Sequence, residues 1–341
     1  MSSSLIQVLY EFYKSPQIDL LINEDTLQIA KTLPFVNNII TFSYKKKQNS
    51  RFVQEKKIFK SIFKKYDLSI NLTASDRSVL YSILAARKSI SAVEKNHKKS
   101  WWKKKLLNSY YFFDPTRHIL LNNLKPLHIL NIKHEDNQGY IESSKLAKNS
   151  VNKILEQKGI KNFIIFHPSS QYDYKIYPKH LRDQFLLLLN SLEVPIVITG
   201  SNNFIDKRIK KELPSLPNLY DLIGKTSIEE YVALSELASA YIGMDTLNMH
   251  IAASQNKRIF AIFGPTNLKM WSPWSNKLQT GAQENKTIQT YDQITIFQSN
   301  LPCVACGKAG CNDQGRSECL YDINPIKIFN EIKRWFLSYG V

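Results

Sequence analysis

Along residues 4–14 the apolar positions Leu5, Val8, Leu9 and Phe12 recur at helical spacing. Residues 18–22 (IDLLI) and 37–44 (NNIITFSY) are short apolar runs of strand length. Residues 52–66 (FVQEKKIFKSIFKKY) return to the helical period, and residues 67–73 (DLSINLT) to that of a strand. This alternation predicts a parallel sheet with crossover helices. Helices are also expected over residues 150–158 (SVNKILEQK) and 326–339 (IKIFNEIKRWFLSY). Between those two lie three strand–loop–helix units, residues 163–175, 240–254 and 258–271. Their loops carry His167-Pro168-Ser169-Ser170 with Lys175 beyond, Gly243 followed by Asp245-Thr246, and Gly264-Pro265-Thr266-Asn267. Ligands of open α/β sheets sit outside the carboxyl ends of the strands, so the three loops are expected to face one crevice. Residues 133–150, polar with Gly and Ser, are the expected linker between two domains.

A chain of 341 residues is long enough for two domains. It holds no apolar run long enough to span a membrane, and its start lacks the basic region and cleavage signature of a secretory signal. The expectation is a soluble cytosolic protein. Charge changes that picture. Of the formal net +17, residues 1–155 supply most, with 26 Lys+Arg against 12 Asp+Glu, while residues 156–341 carry 20 against 17. An anionic partner met by the first half is expected: nucleic acid, acidic lipid or a phosphorylated saccharide. The alternative is a solvated basic surface without a partner.

A nucleotide diphosphate needs backbone N–H donors, hydroxyls and a cation, and a helix N-terminus supplies the first together with a favourable dipole. Asp245-Thr246-Leu247-Asn248 fits a helix opening with Asp245 or Thr246 as its cap. His250 falls in the first turn, either facing the loop or packed as an ordinary helix histidine. Lys175, beyond the Ser169-Ser170 pair, suits a point-charge phosphate clamp, although single loop lysines are usually just solvated. Walker and GxGxxG glycine fingerprints are absent, which argues against a P-loop kinase or a standard nicotinamide enzyme.

Three segments carry a family resemblance: FHPSSQYDYKIYP, GMDTLNMHIAA and IFGPTNLKMWSPWSN. Together they resemble the C-terminal domain of glycosyltransferase family 9, the bacterial lipopolysaccharide heptosyltransferases. YDLSINLT and ARKSISAVEKNHKKSWWKK in the first half are similar to the heptosyltransferase III branch. The resemblance implies an α/β GT-B fold, two Rossmann-like domains facing across a cleft. An acceptor domain would span residues 1–145 and a donor domain residues 146–341, with a last helix returning toward the first domain. It implies inverting transfer of heptose from ADP-heptose to the phosphorylated inner core of lipopolysaccharide, with no cofactor required. By position, Ser169, Ser170 and Lys175 would hold the diphosphate and Thr226 would line the adenosine pocket. Asp245, Thr246 and His250 would contact heptose and phosphates, helped by the backbone amides of Leu247 and Asn248.

Two departures stand out. Leu247 and Asn248 occupy positions where the family has Gly and then a small residue or Pro, and glycine permits closer backbone approach. The family also opens with a strand and a Gly-Asp loop whose Asp is the general base, and alignment puts that loop upstream of Met1. The expectation is a start at an internal methionine of a longer reading frame, or an inactive remnant that binds a sugar nucleotide or saccharide.

Lys95, Lys98, Lys99 and Lys103 to Lys105 are the candidates for acceptor phosphates or the anionic inner face of the inner membrane, which implies peripheral attachment. Trp101 and Trp102 either dip into that interface or pack in the core. Nucleic-acid binding has no recognised motif behind it and is not expected. All four cysteines lie within 17 residues, as Cys303-x2-Cys306-x4-Cys311-x7-Cys319. Such clustering in a cytosolic protein suggests metal more than disulfides, and four thiolates could make a tetrahedral structural zinc site. The x4 and x7 spacings fit no standard zinc ribbon, however, and free thiols or disulfides remain the default reading.

Overall fold

The computed structural model describes all residues except 46–47, 96–97, 135–138, 140, 313 and 340–341, and the side chains of 48, 49, 99 and 339. The chain divides into two compact units, Met1–Asn137 and Gln138–Val341.

In the first unit the elements run α1 (Ser3–Phe12), β1 (Asp19–Asn23), α2 (Leu27–Ala30), β2 (Asn38–Phe42), α3 (Gln48–Ile62), β3 (Tyr66–Asn71), α4 (Asp76–Ala85), β4 (Ala86–Val93), α5 (Trp101–Leu106), β5 (Ser109–Phe112) and α6 (Ile119–Ile129). β1 and β2 form one parallel pair, and β3, β4 and β5 form a three-stranded parallel sheet in that order. Both sheets are sewn together by α3, whose Ile58 and Ile62 pack with Ala85 against Leu21, Ile40, Phe42 and Tyr66. Gln54 fixes the start of that stripe by bonding the backbone N–H and C=O of Ser43 at 2.8 and 3.2 Å.

The second unit runs α7 (Lys145–Gln157), β6 (Ile164–His167), α8 (Lys179–Asn190), β7 (Ile196–Ile198), α9 (Phe204–Glu212), β8 (Leu219–Asp221), α10 (Ile228–Leu237), β9 (Ala240–Met244), α11 (Leu247–Ser254), β10 (Arg258–Phe263), α12 (Leu268–Trp271), β11 (Ile288–Tyr291), β12 (Ile294–Gln298), α13 (Glu318–Tyr321) and α14 (Pro325–Tyr339). Its seven-stranded sheet has the order β11-β12-β10-β9-β6-β7-β8, parallel throughout except for β11 against β12. Read from β8 to β12 this is the doubly wound order 3-2-1-4-5-6, and the order reverses between β6 and β9. Ile164, Phe166, Ile242 and Ile262 are fully buried beneath Phe185, Leu186 and Leu189 of α8 and Ile328, Phe329 and Ile332 of α14. With the other face covered as well, these strands are continuous apolar runs.

Helix α7 starts at Lys145, inside the segment expected as linker, because the Ser144 hydroxyl caps it by accepting from the Ala147 N–H at 3.2 Å. Gly243 holds the centre of the sheet close. A Cβ there would stand 2.6 Å from the His167 carbonyl oxygen and 2.7 Å from the Tyr241 hydroxyl, so no larger residue fits between β9 and β6.

Candidate functional site

Parallel strands end on one edge of their sheet. The loops after β6, β9 and β10, on neighbouring strands, therefore emerge side by side, as the hydrophobic pattern requires. The first two flank the point where strand order reverses. Ser169 and Ser170 follow β6 and are buried, yet neither hydroxyl makes a hydrogen bond among the described residues. From the same loop Lys175 reaches across to β9, its Nζ 2.9 Å from Asp245 Oδ2, both side chains partly shielded from water. Thr246 takes the N-cap position of α11 but makes no side-chain cap bond, and its Oγ1 lies 3.4 Å from the Tyr241 hydroxyl instead. Asp245 is held by Lys175 and does not cap. The first turn of α11 thus keeps its N–H groups uncapped, beside a cation and two serine hydroxyls. That arrangement can receive an anion.

Next to this group sits a residue to which the sequence reading assigned no role. His167 ends β6, buried, with Nδ1 3.0 Å from Thr199 Oγ1 of the β7 end and 3.3 Å from Asn248 Nδ2 of α11. Burial pushes its imidazole down to about 4, against the opposing pull of Asp206 and Thr199, so the ring is neutral at physiological pH. A neutral ring joins three loops: those after β6, β7 and β9. Asn248, expected to act through its backbone, also acts through its side chain here. The signal in the sequence was a histidine at the last position of an apolar strand run.

His250 is half-buried in the first turn of α11, and Leu247 at the helix start is exposed. Thr226 is half-buried in the turn before α10, a turn tied to the β7 end by the Gly224 N–H bonding the Gly200 carbonyl at 2.9 Å. It lies on the same edge, and no hydrogen bond among the described residues joins it to Lys175 or Asp245. Thr266 is buried in the loop after β10, where Gln298 Nε2 donates to the carbonyls of Gly264 and Thr266, both at 3.1 Å.

Residues 56–299 match the family model of glycosyltransferase family 9 (heptosyltransferase). The chain belongs to glycosyltransferase family 9. It is 25% identical over 303 residues to the lipopolysaccharide heptosyltransferase 3 of Escherichia coli, covering 86% of this chain and 88% of that relative. Its fold is similar to a family 9 glycosyltransferase of Veillonella parvula, with a TM-score of 0.75 at 17% identity over 99% of this chain and 93% of the other. It is likewise similar to the E. coli ADP-heptose lipopolysaccharide heptosyltransferase II, with a TM-score of 0.71 at 17% identity over 100% of this chain and 95% of the other. The fold class is therefore the α/β GT-B fold that the motifs implied.

In this family 9 chain the basic segment before β5 divides. Lys95 and Lys98 are exposed, and the side chain of Lys99 and all of His97 lie outside the described residues. Lys103 is buried instead, its Nζ 2.5 Å from the Ala74 carbonyl, 2.8 Å from Asp76 Oδ1 and 3.2 Å from Glu94 Oε2. Those internal partners occupy its ammonium, so the expectation that it faces an acceptor phosphate is set aside. Helical spacing is the reason: Lys103 follows Trp102, which packs on Val79, Val93 and Leu107, and the two share the inner side of α5. Trp101 points outward, 67% exposed.

The four cysteines are free thiols: Cys303 and Cys306 exposed, Cys311 intermediate, Cys319 buried. Burial and the neighbouring Cys311, Cys306 and Cys303 push the Cys319 thiol up to about 12. The other three thiols thus lie within electrostatic reach of Cys319. Even so, no group of three or more His, Cys, Asp or Glu among the described residues is placed to hold a metal ion. The zinc expectation thus finds no assembled donor set among the described residues, and no chemistry is routed through it.

Proposed function

We propose that this chain transfers heptose from ADP-heptose to the phosphorylated inner core of lipopolysaccharide, with inversion at the anomeric carbon. One observation carries the donor half of this reading: the Lys175–Asp245 pair beside the uncapped N-terminus of α11, at the strand-order reversal. In transfer, an acceptor hydroxyl attacks the anomeric carbon and releases its proton to water, while the bond to the diphosphate oxygen breaks. The departing ADP gains negative charge, and Lys175 together with the α11 N–H groups would stabilise it without reorganising. Ser169 and Ser170 add hydroxyl donors, and Thr226 lines the nucleoside side. Asp245, Thr246 and His250 contact the sugar and phosphates. Similarity to the E. coli lipopolysaccharide heptosyltransferase 3 and to the E. coli ADP-heptose lipopolysaccharide heptosyltransferase II supports the choice of donor and acceptor. Exposed Lys95 and Lys98 would meet acceptor phosphates, and the work would be done at the inner face of the inner membrane.

Binding and turnover are separable. The full chain is titrated with ADP-heptose by calorimetry, then incubated with donor and heptose-deficient lipopolysaccharide. Saturable binding with transfer supports the proposal. Binding without transfer assigns the chain to the inactive reading, and no binding refutes both. Lys175→Ala removes a charge-assisted contact worth about 1.5–3 kcal/mol, so donor affinity should fall roughly tenfold or more. Unchanged affinity would remove Lys175 from the site.

A further inference from the structure

Helix α3 is apolar on two sides. Gln54, Ile58 and Ile62 form the buried stripe, spaced four residues apart. Phe52, Phe59 and Phe63 form a second stripe at spacings of seven and four, and all three are exposed, Phe52 by 73%. The rings of Phe59 and Phe63 pack against each other in a tilted arrangement, centroids 4.6 Å apart. Beside them α4 adds Leu80, 45% exposed, and Leu84, and the two helices enclose an open groove of about 390 Å³ lined also by Glu55, Arg77 and Tyr81. Right-handed crossovers put α4 and α5 on one face of the β3-β4-β5 sheet, and α4 packs against both α3 and α5. The three helices therefore form one outer layer.

The charge around this apolar stripe has a single sign. Arg51, Lys56, Lys57, Lys60 and Lys64 are all exposed. The one carboxylate of α3, Glu55, is balanced by the Arg77 guanidinium and accepts a hydrogen bond from the Tyr81 hydroxyl. On α4, Asp76 is paired to the buried Lys103. The first unit as a whole carries 23 Lys+Arg against 11 Asp+Glu, which leaves a surplus of 12. Aromatic rings standing proud of a helix and flanked by cations, with their acids paired inward, match the interface of an anionic bilayer. Rings enter the acyl boundary while ammonium groups meet lipid phosphates.

We propose that the α3–α4 face, with Phe52, Phe59 and Phe63 at its centre, docks this chain on an anionic phospholipid surface. The proposal rests on the reading of transfer at the inner face of the inner membrane given above, but its geometry lies wholly within the first unit and includes no residue of the donor site.

The test is sedimentation of the full chain with vesicles of phosphatidylglycerol and phosphatidylcholine, and with phosphatidylcholine alone. Binding should require the anionic lipid and weaken with salt. The variant carrying Phe52→Ser, Phe59→Ser and Phe63→Ser should lose at least about tenfold in vesicle partitioning. Lys56→Glu with Lys60→Glu, at exposed positions, should do the same and guards against a folding defect in the first variant. Donor binding and transfer to a delipidated core oligosaccharide should be unchanged in both. A wild-type chain that stays in the supernatant overturns the proposal, as does a triple-Phe variant that partitions like wild type. A dimer dissolved by the triple substitution, with no vesicle binding, would make the face an interface between copies and would also overturn it. Loss of donor binding with vesicle binding intact would sink the proposed function and leave this one standing.

Discussion

Acidification should weaken the second unit through one buried imidazole. His167 titrates at about 4 in the folded protein and near 6.5 in an unfolded chain. As pH falls the unfolded chain takes up the proton first, so the stability tied to the neutral ring is complete above about pH 6.5 and drains away toward pH 4. The full gap corresponds to about 3 kcal/mol, of which about 2 kcal/mol is already lost at pH 5. Amide exchange of Ile165 and Phe166, which sit in β6, an interior strand of the sheet, reads this opening directly. Other groups titrate in the same range, so the decisive quantity is a difference. Wild type should lose about 2 kcal/mol more than His167→Asn between about pH 7.5 and pH 5, although the variant begins less stable. Parallel curves for the two proteins, or an imidazole found by NMR to titrate near 6.5, would refute the reasoning.

Other outcomes follow from the same geometry. Gly243→Ala forces a methyl group against the His167 carbonyl and the Tyr241 hydroxyl. It should cost about 1–3 kcal/mol by thermal unfolding and weaken donor binding with it. Lys103→Ala should lower the stability of the first unit by about 2 kcal/mol, since it strips partners from Glu94 and Asp76 that water only partly replaces. Acceptor KM should not move, and a KM effect at unchanged stability would return Lys103 to the acceptor residues. With a thiol reagent, Cys303 and Cys306 should react first and Cys319 last, because it is buried and its thiolate is disfavoured. Purified chain should carry no stoichiometric zinc, and one zinc per chain with all four thiols protected would show that the loop rearranges around metal.

What the sequence determined by itself is local and periodic. Apolar runs of strand length at residues 163–167, 240–244 and 258–263 pointed to buried strands of one parallel sheet, with their loops on its carboxyl edge. Ser169, Ser170, Lys175 and Asp245 could be singled out as candidates because phosphate chemistry draws on few residue types, and those stood at strand ends. Spacing along the chain could not say which side chains meet. Asp245 looked like a helix cap, and only the crossing of the loop after β6 toward β9 turned it into the partner of Lys175. Lys103 sat in a basic run like its neighbours, and the turn of α5 beneath Trp102 carried it inside. His167 stayed silent because its meaning depends on Thr199 and Asn248, residues 32 and 81 positions away. The helical period of residues 52–66 announced one apolar face, and packing showed a second one left outside. Periodicity fixes the elements because hydrogen bonding and burial act over neighbouring residues, whereas ion pairs, buried protons and exposed faces are settled only when distant segments are brought together.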